Sequence, residues 1–112
     1  MNYAVTWSED GGSVFAGSLE VAGTYLGLVG TAPLARVSHQ RVLYAEVADI
    51  RMERRPERRL TGRPTLVVER QNGTHLRIST LSGAGMLNEI GERVCEACRQ
   101  PGGRALVSAP AA

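Results

Sequence analysis

At 112 residues the chain is long enough to bury one hydrophobic core and too short for two ordinary domains. Its formal net charge is +2, too mild for a dedicated nucleic-acid binder, and all 13 basic residues are arginine. The lack of lysine excludes every chemistry that needs an ε-amine, from Schiff bases to phosphate-pairing lysines, and points to a GC-rich, bacterial source.

In chain order, Tyr3, Val5 and Trp7 alternate and then meet Asp10-Gly11-Gly12, the pattern of a strand entering a hairpin loop. A second strand is expected over residues 17–21, with Leu19 and Val21 on one face. Leu26 and Leu28 carry the alternation through a third strand, in which Gly27 marks a bend or a close backbone approach. Val37 with residues 40–44, and then residues 47–52, are two β-leaning runs joined by Ala45-Glu46. Residues 51–63 are rich in arginine, and Pro56 and Gly62 bracket a turn there, so a loop or flared hairpin is expected. Residues 65–70 and 75–80 then flank Asn72-Gly73, a strong hairpin dipeptide.

After residue 80 the period changes from two to 3.6. Leu87, Ile90, Gly91, Val94 and Cys98 fall on one side of an amphipathic helix, for which Ser82 is the expected N-cap. Glu89 and Arg93 form a favourably ordered i,i+4 pair, and Pro101-Gly102-Gly103 is expected to stop the helix. The domain is thus placed at residues 1–100, with 101–112 as a frayed, disordered tail.

Seven short strands followed by one helix resembles the pleckstrin-homology-like superfold, including its bacterial and GRAM-like relatives. The resemblance rests on Val42-Leu43-Tyr44-Ala45-Glu46-Val47-Ala48-Asp49-Ile50, on Leu66-Val67-Val68, Asn72-Gly73 and Leu76-Arg77-Ile78, and on the helix with Leu87, Ile90 and Val94. It implies a mostly β fold: a seven-stranded antiparallel barrel capped by one C-terminal amphipathic helix. Two departures concern the ligand. The loop Ser8-Glu9-Asp10-Gly11-Gly12-Ser13 is acidic where phosphoinositide-binding members are basic, and the helix lacks their tryptophan. The resemblance therefore bears on fold and leaves the ligand open.

Several motifs reduce to plain readings. Cys95-Glu96-Ala97-Cys98 sits in the last turns of the helix, whereas a redox pair opens one, so structural thiols are expected. A zinc site would need two more ligands, and neither His39 nor His75 has finger-like spacing to the cysteines, so no metal and no cofactor are expected. Gly83-Ala84-Gly85 lacks the third glycine of a dinucleotide fingerprint, Asn88 standing in its place. An R-x-x-x-R pair (Arg54 and Arg58, or Arg55 and Arg59) with Thr80-Leu81-Ser82-Gly83-Ala84-Gly85 partly resembles a PilZ cyclic-dinucleotide motif, in which Asp or Asn stands where this chain has Thr80.

No nucleophile elbow or inward-facing carboxylate pair is present, and the chain is read as a non-enzyme. Two cysteines are too few for a disulfide framework, the stretch over residues 21–35 is too short and too interrupted to span a bilayer, and the N-terminus lacks an export signal; the expected location is the cytoplasm.

The expected function is a non-catalytic protein-interaction module, using the arginine hairpin or an exposed sheet edge to contact a protein partner. The alternative is an anion-binding module, for an acidic lipid, a nucleic acid or a cyclic dinucleotide, through the same hairpin. In both, the interaction surface is Arg51, Arg54, Arg55, Arg58, Arg59 and Arg63. Against Glu53 and Glu57 these six give residues 51–63 a charge of 6 − 2 = +4, while residues 1–50 hold two arginines against five acids, 2 − 5 = −3.

Overall fold

The computed structural model describes residues 2–32 and 36–99. Seven antiparallel strands form one sheet: β1 (Asn2–Glu9), β2 (Phe15–Val21), β3 (Tyr25–Ala32), β4 (Arg36–Leu43), β5 (Val47–Met52), β6 (Leu66–Arg70) and β7 (His75–Ser79). One helix follows, α1 (Ala84–Arg99). The spatial order is β4-β3-β2-β1-β7-β6-β5, so the first and last strands in sequence pair at the centre while β4 and β5 are the edges. The sheet curls into a half-barrel. A closed barrel would need β4 to bond to β5, and these two strands are not neighbours in the sheet.

Alternation sets the two faces. Tyr3, Val5 and Trp7 of β1, Leu19 of β2, Leu26 and Leu28 of β3, Val42 of β4, Leu66 and Val68 of β6, and Leu76 and Ile78 of β7 all point to the concave side and are buried. On that side α1 lays down Leu87, Ile90, Gly91 and Val94, all buried, with Met86, Ala97 and Cys98 packed around them. The helical face was legible from its period; Cys98 lies at the border of the core and is half-buried like Cys95. Glu89 and Arg93 pair at 3.4 Å as expected, and Glu89 also accepts a 3.0 Å hydrogen bond from the Tyr3 hydroxyl, which ties α1 to β1.

The helix begins at Ala84, one residue later than a Ser82 cap would start it. Gly83, with φ of +98°, offers its carbonyl to the Leu87 N–H, while the Ser82 N–H turns back to Thr80 Oγ1 at 3.1 Å. A residue held at positive φ is where glycine wins over serine. The expected stop at Pro101-Gly102-Gly103 and the tail 101–112 lie outside the described residues. Among the described residues no helix is long and apolar enough to cross a membrane.

The corner between β4 and β5 is a 3₁₀ turn, Tyr44–Glu46, rather than a simple two-residue link. Tyr44 is buried, and its hydroxyl donates to the Ala22 carbonyl at 2.7 Å, so the corner is pinned to the β2–β3 turn. Burial pushes the Tyr44 phenol up to about 12. On the far side of the opening, Arg70 reaches from the end of β6 to Glu9 of β1 (3.2 Å) and to Gln40 of β4 (3.1 Å).

Two predictions follow from this packing. A methyl group at Gly17 would run into the Val29 carbonyl and the Gly30 backbone, whereas at Gly23 it would meet nothing. Gly17→Ala should therefore lower unfolding free energy in urea by roughly 3 kcal/mol or more, and Gly23→Ala should change it by less than about 1 kcal/mol. Because the folded state holds the Tyr44 proton more tightly than the unfolded chain, its contribution is complete below pH 10 and is lost as the pH rises towards 12. The urea midpoint should fall over that window, and the fall should be shallower in Tyr44→Phe.

Candidate functional site

The arginine-rich segment is the long loop that joins the antiparallel pair β5 and β6, the first of the two expected forms. Arg51 belongs to β5, and residues 53–65 form a loop with two 3₁₀ turns, Pro56–Arg58 and Leu60–Gly62, folded back over the convex face of the sheet. Proline at the first helical position favours the first turn, and Gly62, at φ of +75°, closes the second.

Buried polar groups hold this loop down. Thr65, fully buried, accepts the Leu60 N–H and donates to the Arg63 carbonyl, both at 2.8 Å. Ser79 Oγ donates to the Pro64 carbonyl at 2.8 Å. Leu60 is the apolar plug; the convex face beneath carries the row Ser8, Arg77, Val67 and Arg51, in which Ser8 and Val67 are buried. Glu53 turns inward as well: it faces the Arg77 guanidinium at 3.6 Å and accepts the Arg55 N–H at 3.2 Å. That backbone hydrogen bond, with the nearby arginines, holds the Glu53 carboxyl below the usual range.

The six candidate arginines thus part company. Arg51 is engaged on the sheet with Asp49 (2.9 Å) and Glu69 (3.3 Å), and these carboxylates raise its already high pKa. Arg54, Arg55, Arg58, Arg59 and Arg63 stand exposed on the loop, and among the described residues no ion pair joins any of them to a carboxylate. The five do not converge on one pocket. Arg58 and Arg59 meet at a cleft of about 310 Å³ between the loop and the β1–β2 turn; Ser8, Gly11, Gly12, Val14, Glu57, Leu60 and Arg77 complete its walls.

A second site was not visible in the sequence. Between the edge strand β5 and α1 runs an open groove of about 480 Å³. Its apolar surface comes from Ile50, Met52, Leu66, Leu87, Gly91 and Cys95, and Arg51, Asn88, Glu92 and Arg99 stand at its rim. Gly91 lets α1 approach β6 so closely that an added methyl would sit 3.3 Å from a Leu66 methyl. The contributing residues lie on three elements up to 49 positions apart, from Ile50 to Arg99, and no local pattern announces them. The cysteines reduce to this geometry: Cys95 lines the groove and Cys98 packs at the core border.

His75 lies on the convex face, as its alternation implies, and is half-buried rather than open to solvent. Its backbone N–H donates to Asp10 Oδ1 at 2.9 Å, and its ring lies near Asp10 and Glu69.

No protein-family model matches the chain, and no characterised protein matches it in sequence. The architecture is that of a mostly β half-barrel with a C-terminal helix, and the two surfaces above are what it presents.

Thr65→Val removes the acceptor of the Leu60 N–H and the donor to Arg63 with little change in volume. It should cost roughly 1–3 kcal/mol. It should also make trypsin cut within residues 54–63 several times faster, read by mass spectrometry of the early fragments.

Proposed function

We propose that this chain is a non-catalytic interaction module that receives an extended segment of a partner protein along the free edge of β5. One observation carries the reading: a terminal strand with an unpaired edge runs beside an open groove with an apolar floor. An added strand satisfies the backbone groups of the edge, and the groove accepts every second side chain of the newcomer. The order of seven strands and a C-terminal helix supports placing the domain in the pleckstrin-homology-like class, and a cytoplasmic setting agrees with two cysteines in no disulfide framework.

The hydrogen-bond pattern identifies which groups are offered. The Glu53 N–H bonds to the Thr65 carbonyl at 2.8 Å, towards β6. By strand alternation, Met52 and Ile50 direct their N–H and carbonyl groups away from β6, to the free edge. The side chains of the same two residues lie in the groove. Backbone and side-chain recognition therefore converge on one short stretch, from Ile50 to Met52.

The test is selection from a random peptide library displayed on phage. Recovered peptides should carry apolar residues at alternate positions, and their binding should be lost in Met52→Pro, which removes an edge N–H without touching the ladder to β6. Cys95→Trp, which fills the groove, should weaken the same peptides. Peptides that bind both variants as well as the parent would refute the reading.

A further inference from the structure

The arginine loop presents charge that folding does not use. Five exposed guanidinium groups stand on residues 54–63 without an ion pair among the described residues, although the domain holds enough carboxylates to pair them. The neighbouring acids are engaged elsewhere. Glu9 pairs with Arg70, Asp10 accepts the His75 N–H, and Glu53 faces Arg77, which leaves Glu57 as the carboxylate at the cleft. The acidic β1–β2 turn, which by sequence would repel an anion, therefore turns its carboxylates away from the loop. Beneath, Arg77 adds a third guanidinium to the wall; its Nε is buried and has no hydrogen-bond partner among the described residues.

We infer that this loop and cleft bind the phosphodiester backbone of duplex nucleic acid, with one phosphate held between Arg58 and Arg59 and its neighbours on Arg54, Arg55 and Arg63. Three features select this ligand. Guanidinium groups match phosphate oxygens two at a time, and the charge is carried wholly by arginine. Arg58 and Arg59 line the cleft while Arg54, Arg55 and Arg63 stand outside its lining, an arrangement that suits a polymer of spaced anions better than one small molecule. No aromatic side chain lines the cleft or stands on residues 53–65, so there is no platform for unpaired bases, and contact is made with the backbone without reading sequence. A membrane surface is the poorer fit, because the loop's large aliphatic side chain, Leu60, is buried beneath it and has nothing to insert. This surface is independent of the β5 groove, and failure of either leaves the other standing.

The experiment is fluorescence anisotropy with a labelled mixed-sequence duplex of about 20 base pairs, at several salt concentrations. Each phosphate neutralised contributes a slope of about −0.9 in log K against log salt, so four phosphates, one of them shared by Arg58 and Arg59, give up to about −3.6. Arg58→Gln with Arg59→Gln, which removes the shared phosphate contact, should make the slope shallower by about 0.9 and weaken binding at every salt. Both side chains are exposed, so the melting temperature should hold and certify the fold. Glu57→Gln, which removes the remaining carboxylate at the cleft, should tighten binding, a gain that an unfolded variant cannot mimic. Substituting AT-rich for GC-rich duplex should leave the affinity unchanged. Failure to bind duplex at low salt, binding indifferent to the double substitution, or binding only to phosphatidylserine vesicles tested alongside would each overturn the inference.

Discussion

The indole of Trp7 occupies space that β3 leaves open only because residue 30 has no side chain. A methyl group at Gly30 would come within 3.0 Å of the indole nitrogen, and one at Gly17 would strike β3 itself. The register sets Gly17 against Gly30 and Trp7 against Phe15, so the two missing side chains and the two aromatic rings fall in adjacent rows of β1, β2 and β3. The rings stack with centroids 4.7 Å apart. Glycine in a strand interior costs stability by itself. Here that cost is offset by full burial of the largest side chain in the molecule, and by a sheet able to bend around it. Among the described residues the indole N–H finds no acceptor, and the ring is held by packing.

From that bend follow the two edges. A sheet curled this far brings β4 and β5 round towards each other without joining them, and α1 lies over the concave side that remains. The Tyr44–Glu46 turn carries the chain across the gap, and Arg70 bridges from β6 to β4 with its charge balanced by Glu9. An arginine whose side chain is only 14% exposed needs that partner, since a buried charge without one is costly. The half-barrel is thus fastened at its corner and at its open side by side chains, leaving the outer edge of β5 unpaired beside its groove.

Strands and helix were legible because each has one dry face. Leu87, Ile90 and Val94 recur at helical spacing, and Val5 with Trp7, Leu26 with Leu28, and Leu76 with Ile78 alternate; in each case the pattern records which side is buried. Boundaries were less legible. Phe15 starts β2 two residues early because it follows Trp7 by register, and Arg36 starts β4 early because it pairs with Ala32; neither reason is local. The fold-back of residues 53–65 was hidden for the same cause. Thr65 and Ser79 look like ordinary strand residues in sequence, and their buried bonds to the loop exist only once β6 and β7 are paired. Glu53 and Glu57 read alike as charges dispersed among arginines, yet one lies under the loop beside Arg77 and the other at the cleft wall.

The two edges also differ in how they resist association with other chains. The β5 side carries a register shift between Val47 and Asp49, and Asp49 and Arg51 pair across its convex face. Irregularity and inserted charge are the ordinary means by which an exposed edge avoids open-ended pairing. The regular part of β5 that remains, from Asp49 to Met52, is short, which suits a single added segment better than sheet-to-sheet growth. β4 lacks such a shift over its eight paired residues, and its convex face exposes Val37 and Leu43. There the guard is Arg41, whose guanidinium lies 4.3 Å from the centre of the Tyr25 ring and keeps a cation in the middle of the strand. Of the two edges, β5 is therefore the better suited to the proposed partner segment: its disruption would limit how much can pair, and its groove would decide which side chains are accepted.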